Sequence, residues 1–111
     1  MTRYGMVIGL RAAKVKEYKK LHAAVWPGVL KMIWKCNIRN YSIYLHKFGR
    51  DFYLFSYFEY IGKNFKADMA KMAADHETQR WWTFCIPCQK PLKSRKKGEW
   101  WVAMEEVFHC K

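Results

Sequence analysis

Tyr4, Met6, Ile8 and Leu10 alternate with Arg3, Gly5, Val7 and Gly9, a period of two that predicts a strand at the start of the chain. From Lys14 to about Lys20 the charges surround Val15, Tyr18, Leu21 and Val25, which recur at helical spacing. Pro27 cannot sit inside a helix without a cost of roughly 3 kcal/mol, so it should open a second helical segment, Gly28 to Lys35, with Asn37 closing it. Tyr41, Ile43 and Leu45 then alternate with Asn40, Ser42 and Tyr44. Lys47 to Asp51 reads as a turn, and Phe52 to Tyr60 as the returning strand of a hairpin. Phe65, Met69 and Met72, at spacings of four and three, mark another amphipathic helix. Asp75 is placed to cap one more, running through Trp81 and Trp82 to about Cys85. Pro87 to Gly98 reads as a basic loop and Val102 to His109 as the last strand. The order β-α-β-β-α-β predicts an α+β fold, a ferredoxin-like sheet with its helices on one face, in a single domain spanning residues 1–111.

The strand Phe52 to Tyr60 is apolar on both sides. Phe52, Leu54, Phe58 and Tyr60 share one face, while Tyr53, Phe55 and Tyr57 share the other. Helices on one side of a small sheet leave the second set uncovered, and an apolar patch of that kind on a soluble monomer is unusual. It should pack on a second copy of the chain or stack on a ligand; the homodimer is the favoured expectation.

With 111 residues, 51% of them hydrophobic, the chain can build a packed core, and its apolar runs are too short to span a membrane. Met1-Thr2-Arg3-Tyr4 leads straight into the first strand with no basic-apolar-small leader, which points to a cytoplasmic location. Cys36, Cys85, Cys88 and Cys110 are then expected as free thiols. The net charge of +12 is not one tract, but two clusters stand out. One is Lys14, Lys16, Lys19 and Lys20; the other is Lys90, Lys93, Arg95, Lys96 and Lys97. Solvated faces account for both, although such a surplus would also suit an anionic partner.

The sharpest candidate chemistry is Tyr18, His22 and Trp26, at successive steps of four, which would put a phenol and an imidazole on one helix face. An imidazole with a pKa near 6.5 can give or take a proton at neutral pH. Trp81 and Trp82 would point about 100° apart on a helix, so that one enters the core while the other borders a cavity. Cys85-Ile86-Pro87-Cys88 follows its helix rather than opening one, the wrong end for a reactive thiol, and it lacks a second pair for zinc. Arg50 to Tyr57 faintly echoes the central strand of RNA-recognition domains, and +12 would suit phosphate. Asp51 and Tyr53 stand where that motif wants glycines. A basic module binding single-stranded nucleic acid is therefore the alternative reading. No P-loop, GxGxxG, GxSxG or HExxH motif is present.

Several segments together resemble the L-rhamnose mutarotase family. They are Glu17-Tyr18 with His22, Trp26-Pro27, Asn40 to Leu45, Gln79-Arg80-Trp81-Trp82 and Met104 to His109, in family order along nearly the whole chain. The resemblance implies a dimeric ferredoxin-like α/β barrel that interconverts the anomers of L-rhamnose, an aldose 1-epimerase needing neither metal nor organic cofactor. It implies His22 as the proton-transfer residue and Tyr18, Tyr41, Trp81 and Trp82 as sugar-binding residues. The long basic loop before Gly98-Glu99-Trp100-Trp101 departs from the shortest members, which leaves L-fucose or another deoxy sugar as a possible substrate. A sugar site of this kind requires open space beside His22.

Overall fold

The computed structural model describes all residues, Met1–Lys111. The strands are β1 (Thr2–Leu10), β2 (Ile38–Phe48), β3 (Asp51–Tyr60), β4 (Gln89–Lys90) and β5 (Val102–Met104). The helices are α1 (Val15–Ala23), α2 (Pro27–Lys35), α3 (Phe65–Ala74) and α4 (His76–Cys85). The sheet runs β2-β3-β1-β4, with β5 also on β1, and every pairing is antiparallel. No helix is long and apolar enough to cross a membrane.

Local chemistry sets the boundaries. Pro27 occupies the first turn of α2, where its missing N–H costs nothing. Asn37 adopts a left-handed conformation (φ 67°) after that helix, a geometry asparagine tolerates better than most residues. Asp75 caps α4, its carboxylate accepting from the Thr78 amide at 2.9 Å and the Thr78 hydroxyl at 2.8 Å. The β2–β3 turn is tighter than Lys47 to Asp51, because the strands pair as far as Phe48 and Asp51 and leave only Gly49 (φ 61°) and Arg50 between them.

Two expectations are corrected. The last strand is not Val102 to His109: pairing stops at Met104, and residues 105–111 have no regular structure. Continuing would bring the chain opposite Tyr4 and Arg3. Instead Glu106 engages the Arg3 guanidinium through its side chain, with contacts of 2.8 and 3.0 Å. Nor is Pro87 to Gly98 wholly loop. A 3-10 turn at Ile86–Cys88 leads into β4, which lies against Gly9 and Leu10.

Register decides which side chains meet. Tyr4, Met6, Ile8 and Leu10 face Phe58, Ser56, Leu54 and Phe52 across β1 and β3. Ile8, Leu10 and Leu54 from this face form one core with Tyr18, Val29, Trp81, Cys85 and Cys88 from the helical layer. Burying a side chain such as Leu54 contributes about 1.5–3 kcal/mol. Phe65 of α3 extends the layer, stacking on Tyr4 with ring centroids 4.5 Å apart. The opposite face carries Val7, Tyr53, Phe55 and Tyr57, and a shallow hollow there is lined by Val7, Phe48, Tyr53, Phe55 and Leu92.

Candidate functional site

α1 presents Tyr18 and His22 one turn apart, and their rings stack with centroids 4.1 Å apart. Trp26 does not continue that face as the spacing predicted. α1 ends at Ala23, and Trp26 sits in extended geometry ahead of Pro27. It meets α4 instead, edge-on to Trp81 at 5.3 Å and to Phe84 at 5.8 Å.

Trp81, set inward by the phase of α4, lies edge-on to His22 at 5.2 Å and is buried. Trp82 is half-buried against the same core and makes no ring contact with His22. Of the adjacent indoles, Trp81 is therefore the one that walls the imidazole.

Tyr41 reaches the helix-covered face of the sheet through a backbone irregularity. β2 pairs Arg39 with Glu59 and then Ser42 with Tyr57, so Asn40 and Tyr41 together oppose Phe58. Asn40 is left-handed (φ 50°), and its amide donates to Glu59 at 2.7 Å. This bulge reverses the parity of the strand. Ile38 lies on the helix-covered face before it, and Tyr41, Ile43 and Leu45 do so after it. The Tyr41 ring is partly exposed and rests 5.4 Å from Phe58, while burial around its hydroxyl raises its pKa to about 12.

The protonation pattern is fixed by hydrogen bonds. His22 Nδ1 lies 2.9 Å from the Tyr18 carbonyl oxygen. A carbonyl only accepts, so Nδ1 carries the hydrogen and the neutral imidazole keeps its lone pair on Nε2. Burial lowers the His22 pKa below its ordinary 6.5, partly offset by that bond. Burial likewise pushes the Tyr18 phenol well above its usual range. The oxygen of Tyr18 accepts from Gln89 Nε2 at 3.2 Å, and Gln89 Oε1 accepts from the Trp100 indole N–H at 2.7 Å. Neither Gln89 nor Trp100 stands out in the sequence: Gln89 lies 71 positions from its partner Tyr18, and no periodicity spans that gap.

The two cysteines of the CxxC are protonated thiols. Burial raises Cys85 to about 12, and burial together with a hydrogen bond to Glu17 raises Cys88. No group of three or more His, Cys, Asp and Glu side chains converges as a metal site would.

Space is distributed differently from the expectation of a hollow around His22. A groove of about 560 Å³ lies along the flank of α1 and is lined by Lys16, Glu17, Lys20, Leu21, Ala24 and Trp26. It shares Trp26 with the aromatic cluster but does not include His22. Tyr18 and Trp81 are packed closely on two sides of the imidazole, which remains half-buried.

A family model described as L-rhamnose mutarotase matches residues 3–110. An L-rhamnose mutarotase of Oceanobacillus iheyensis is 33% identical over 109 residues, 98% of each chain. That of Listeria monocytogenes is 31% identical over the same share of both. Among solved structures, L-rhamnose mutarotase FA22100 from Formosa agariphila superposes with a TM-score of 0.73 over the whole of both chains. Its identity is 19%, so it bears on the fold alone.

Proposed function

Because the chain belongs to the L-rhamnose mutarotase family, we propose that it interconverts the α and β anomers of L-rhamnose or a similar deoxy sugar at the Tyr18–His22 cluster. The class of activity, an isomerase acting on sugar anomers, follows from the family. The residue roles are our own reading. The observation that carries them is the Nδ1–H bond of His22 to the Tyr18 carbonyl, which leaves Nε2 free as a base.

Ring opening moves one proton. The anomeric O–H loses it, the C1–O5 bond breaks as the C1=O1 double bond forms, and the ring oxygen gains it. O1 and O5 are bonded to the same carbon, so one nitrogen placed before both can serve each in turn. Nε2 of His22 takes the proton from O1 and returns it to O5. After the carbonyl turns its other face, the same steps in reverse close the opposite anomer. A positioned acid–base group contributes roughly 10²–10⁴-fold to such a step. The Tyr18 hydroxyl, held neutral by burial, donates to the sugar oxygen that gains negative charge. Trp81 supplies a flat apolar wall, and Tyr41 and Trp82 offer donors to ring hydroxyls. No charge is stored and no covalent intermediate forms, so these side chains suffice.

The sheet order, with β4 and β5 together standing for the last strand, is read as ferredoxin-like βαββαβ, and the chain as one domain. Its open aromatic face is assigned to a second copy, which would give the dimeric barrel; a cytoplasmic location goes with this reading. Nucleic acid is a poor occupant for that face. Tyr57 donates to Glu59 at 2.7 Å and Arg3 pairs with Glu106 at 2.8 and 3.0 Å, so the phenol and the cation at that edge are already engaged by carboxylates.

Exchange NMR on L-rhamnose tests the function. The wild type should speed transfer between the two anomeric signals at neutral pH, and His22→Gln should lose most of that acceleration. A wild type no faster than buffer rejects the function; a variant as fast as wild type rejects only the role of His22.

A further inference from the structure

We infer that Gln89, oriented by Trp100, is a positioning residue that fixes the Tyr18 hydroxyl as a hydrogen-bond donor to the sugar. This rests on the reading of the Tyr18–His22 cluster as the sugar site. An indole N–H can only donate, so the Gln89 atom 2.7 Å from Trp100 Nε1 must be its carbonyl oxygen. The amide therefore cannot flip, and Nε2 faces Tyr18. An amide nitrogen also only donates, so the Tyr18 oxygen accepts and its own hydrogen must point elsewhere.

Gln89 is 6% exposed and forms both bonds, so its orientation is set by protein rather than by water. The result is opposite polarity at two stacked rings: Tyr18 offers a hydrogen, and His22 offers a lone pair. Without Gln89 the Tyr18 hydroxyl would be free to rotate and accept, competing with the base for the proton it must move. Trp100 follows the basic loop, and Arg95 lies over its ring at 6.0 Å, so the loop's far end holds the chain of bonds in place.

Gln89→Glu separates orientation from shape. The substitution is nearly isosteric, but an ionised carboxylate only accepts, which turns the Tyr18 hydrogen inward, away from the sugar. Protonated, the new carboxyl donates to Tyr18 and accepts from Trp100, as glutamine does. The titratable groups acting on its partner Tyr18 are Cys85 of α4, Tyr41 of β2 and Cys88 of the 3-10 turn. His22 stacks on the Tyr18 ring, Glu17 lies against Cys88 with Lys14 beside it, and the Arg95 cation lies over Trp100. None of the phenols or thiols is ionised near neutral pH, and the burial of position 89 raises the pKa of a carboxyl placed there.

Anomer exchange of L-rhamnose is to be followed from pH 5.5 to 8.5 for the wild type, Gln89→Glu, Gln89→Met and Trp100→Phe. Gln89→Glu should lose about tenfold or more in kcat at pH 8.5 with little change in KM, and recover as pH falls. Gln89→Met should be reduced equally at all pH values. Trp100→Phe, which frees the amide to flip while keeping an aromatic ring, should lose a smaller factor in kcat. A Gln89→Glu variant as active as wild type at pH 8.5, or one whose loss is independent of pH and equal to that of Gln89→Met, overturns the inference. If Gln89→Glu does not fold, an unchanged kcat in Trp100→Phe overturns it. An inert wild type fails before any substitution is compared; it removes the proposed function and with it this role for Gln89.

Discussion

A methyl group added at Gly9 provides a stringent test of how the edge of the sheet holds the site. Gly9 pairs with Lys90, and an added Cβ would stand 2.5 Å from the Lys90 carbonyl oxygen. That atom is backbone, so no side-chain rotation relieves the clash, and the two-residue β4 must move off β1. Its departure weakens the pairing at Gly9 and Leu10 and the bond from the Arg11 amide to the Cys88 carbonyl, and it displaces Gln89 from Tyr18. Two or three hydrogen bonds at about 1 kcal/mol each, less the roughly 0.5–1 kcal/mol gained by removing a glycine from a strand, give roughly 1–2.5 kcal/mol. For a chain of this size that is a fall in Tm of roughly 5–15 °C. Thermal and urea unfolding measure it, with Gly5→Ala as the control. At Gly5 the new methyl would meet only Met104 Cε at 3.5 Å and the Ser56 carbonyl oxygen at 4.0 Å, ordinary contacts, so that variant should stay within about 0.5 kcal/mol of wild type. Strand propensity alone predicts that both substitutions stabilise. A Gly9→Ala protein as stable as Gly5→Ala would show that the close approach of β4 does not constrain the fold.

Three further outcomes are expected. His22 has a lowered pKa, so its base form should persist below pH 6.5; kcat/KM for anomer exchange should stay level from pH 8 to about 6.5 and fall only at lower pH. The same shift affects stability. An unfolded chain takes up the His22 proton near 6.5 and the folded one does not, so the contribution is complete above 6.5 and is lost as pH falls from there to the folded value. Urea midpoints between pH 7.5 and 5.5 should drop more for wild type than for His22→Gln; equal drops would contradict the assignment. On the open face of the sheet, the wild type should have the mass of a dimer by light scattering and Phe55→Glu half of it; a monomeric wild type would refute the assignment of that face to a second copy.

Resemblance in sequence grouped His22, Tyr18, Tyr41, Trp81 and Trp82. The structure brings Tyr18, His22 and Trp81 into ring contact, packs Trp82 against the same core, and leaves Tyr41 on the same face of the sheet against Phe58. The pattern of apolar positions also located β1, the β2–β3 hairpin and both helices of each pair, because each obeys a short local period. Local signals failed where partners are distant. The final strand reads as eight residues of plausible strand, yet its length is set by what β1 can pair with and by the Arg3–Glu106 contact from the far end of the chain. Trp26 keeps helical spacing from His22, but Pro27 ends that regularity and turns the indole towards α4.

The sequence by itself determined the four helices, β1, the β2–β3 hairpin and the residue types available for chemistry, since periodicity, caps and prolines act over a turn or two of chain. Only the tertiary structure decided which face Tyr41 joins, because one left-handed residue, Asn40, inverts the alternation that precedes it. It also decided which indole touches the imidazole and where the protons sit. Hydrogen-bond polarity depends on which donor lies opposite which acceptor, and Gln89 meets Tyr18 only once β4 has been laid against Gly9.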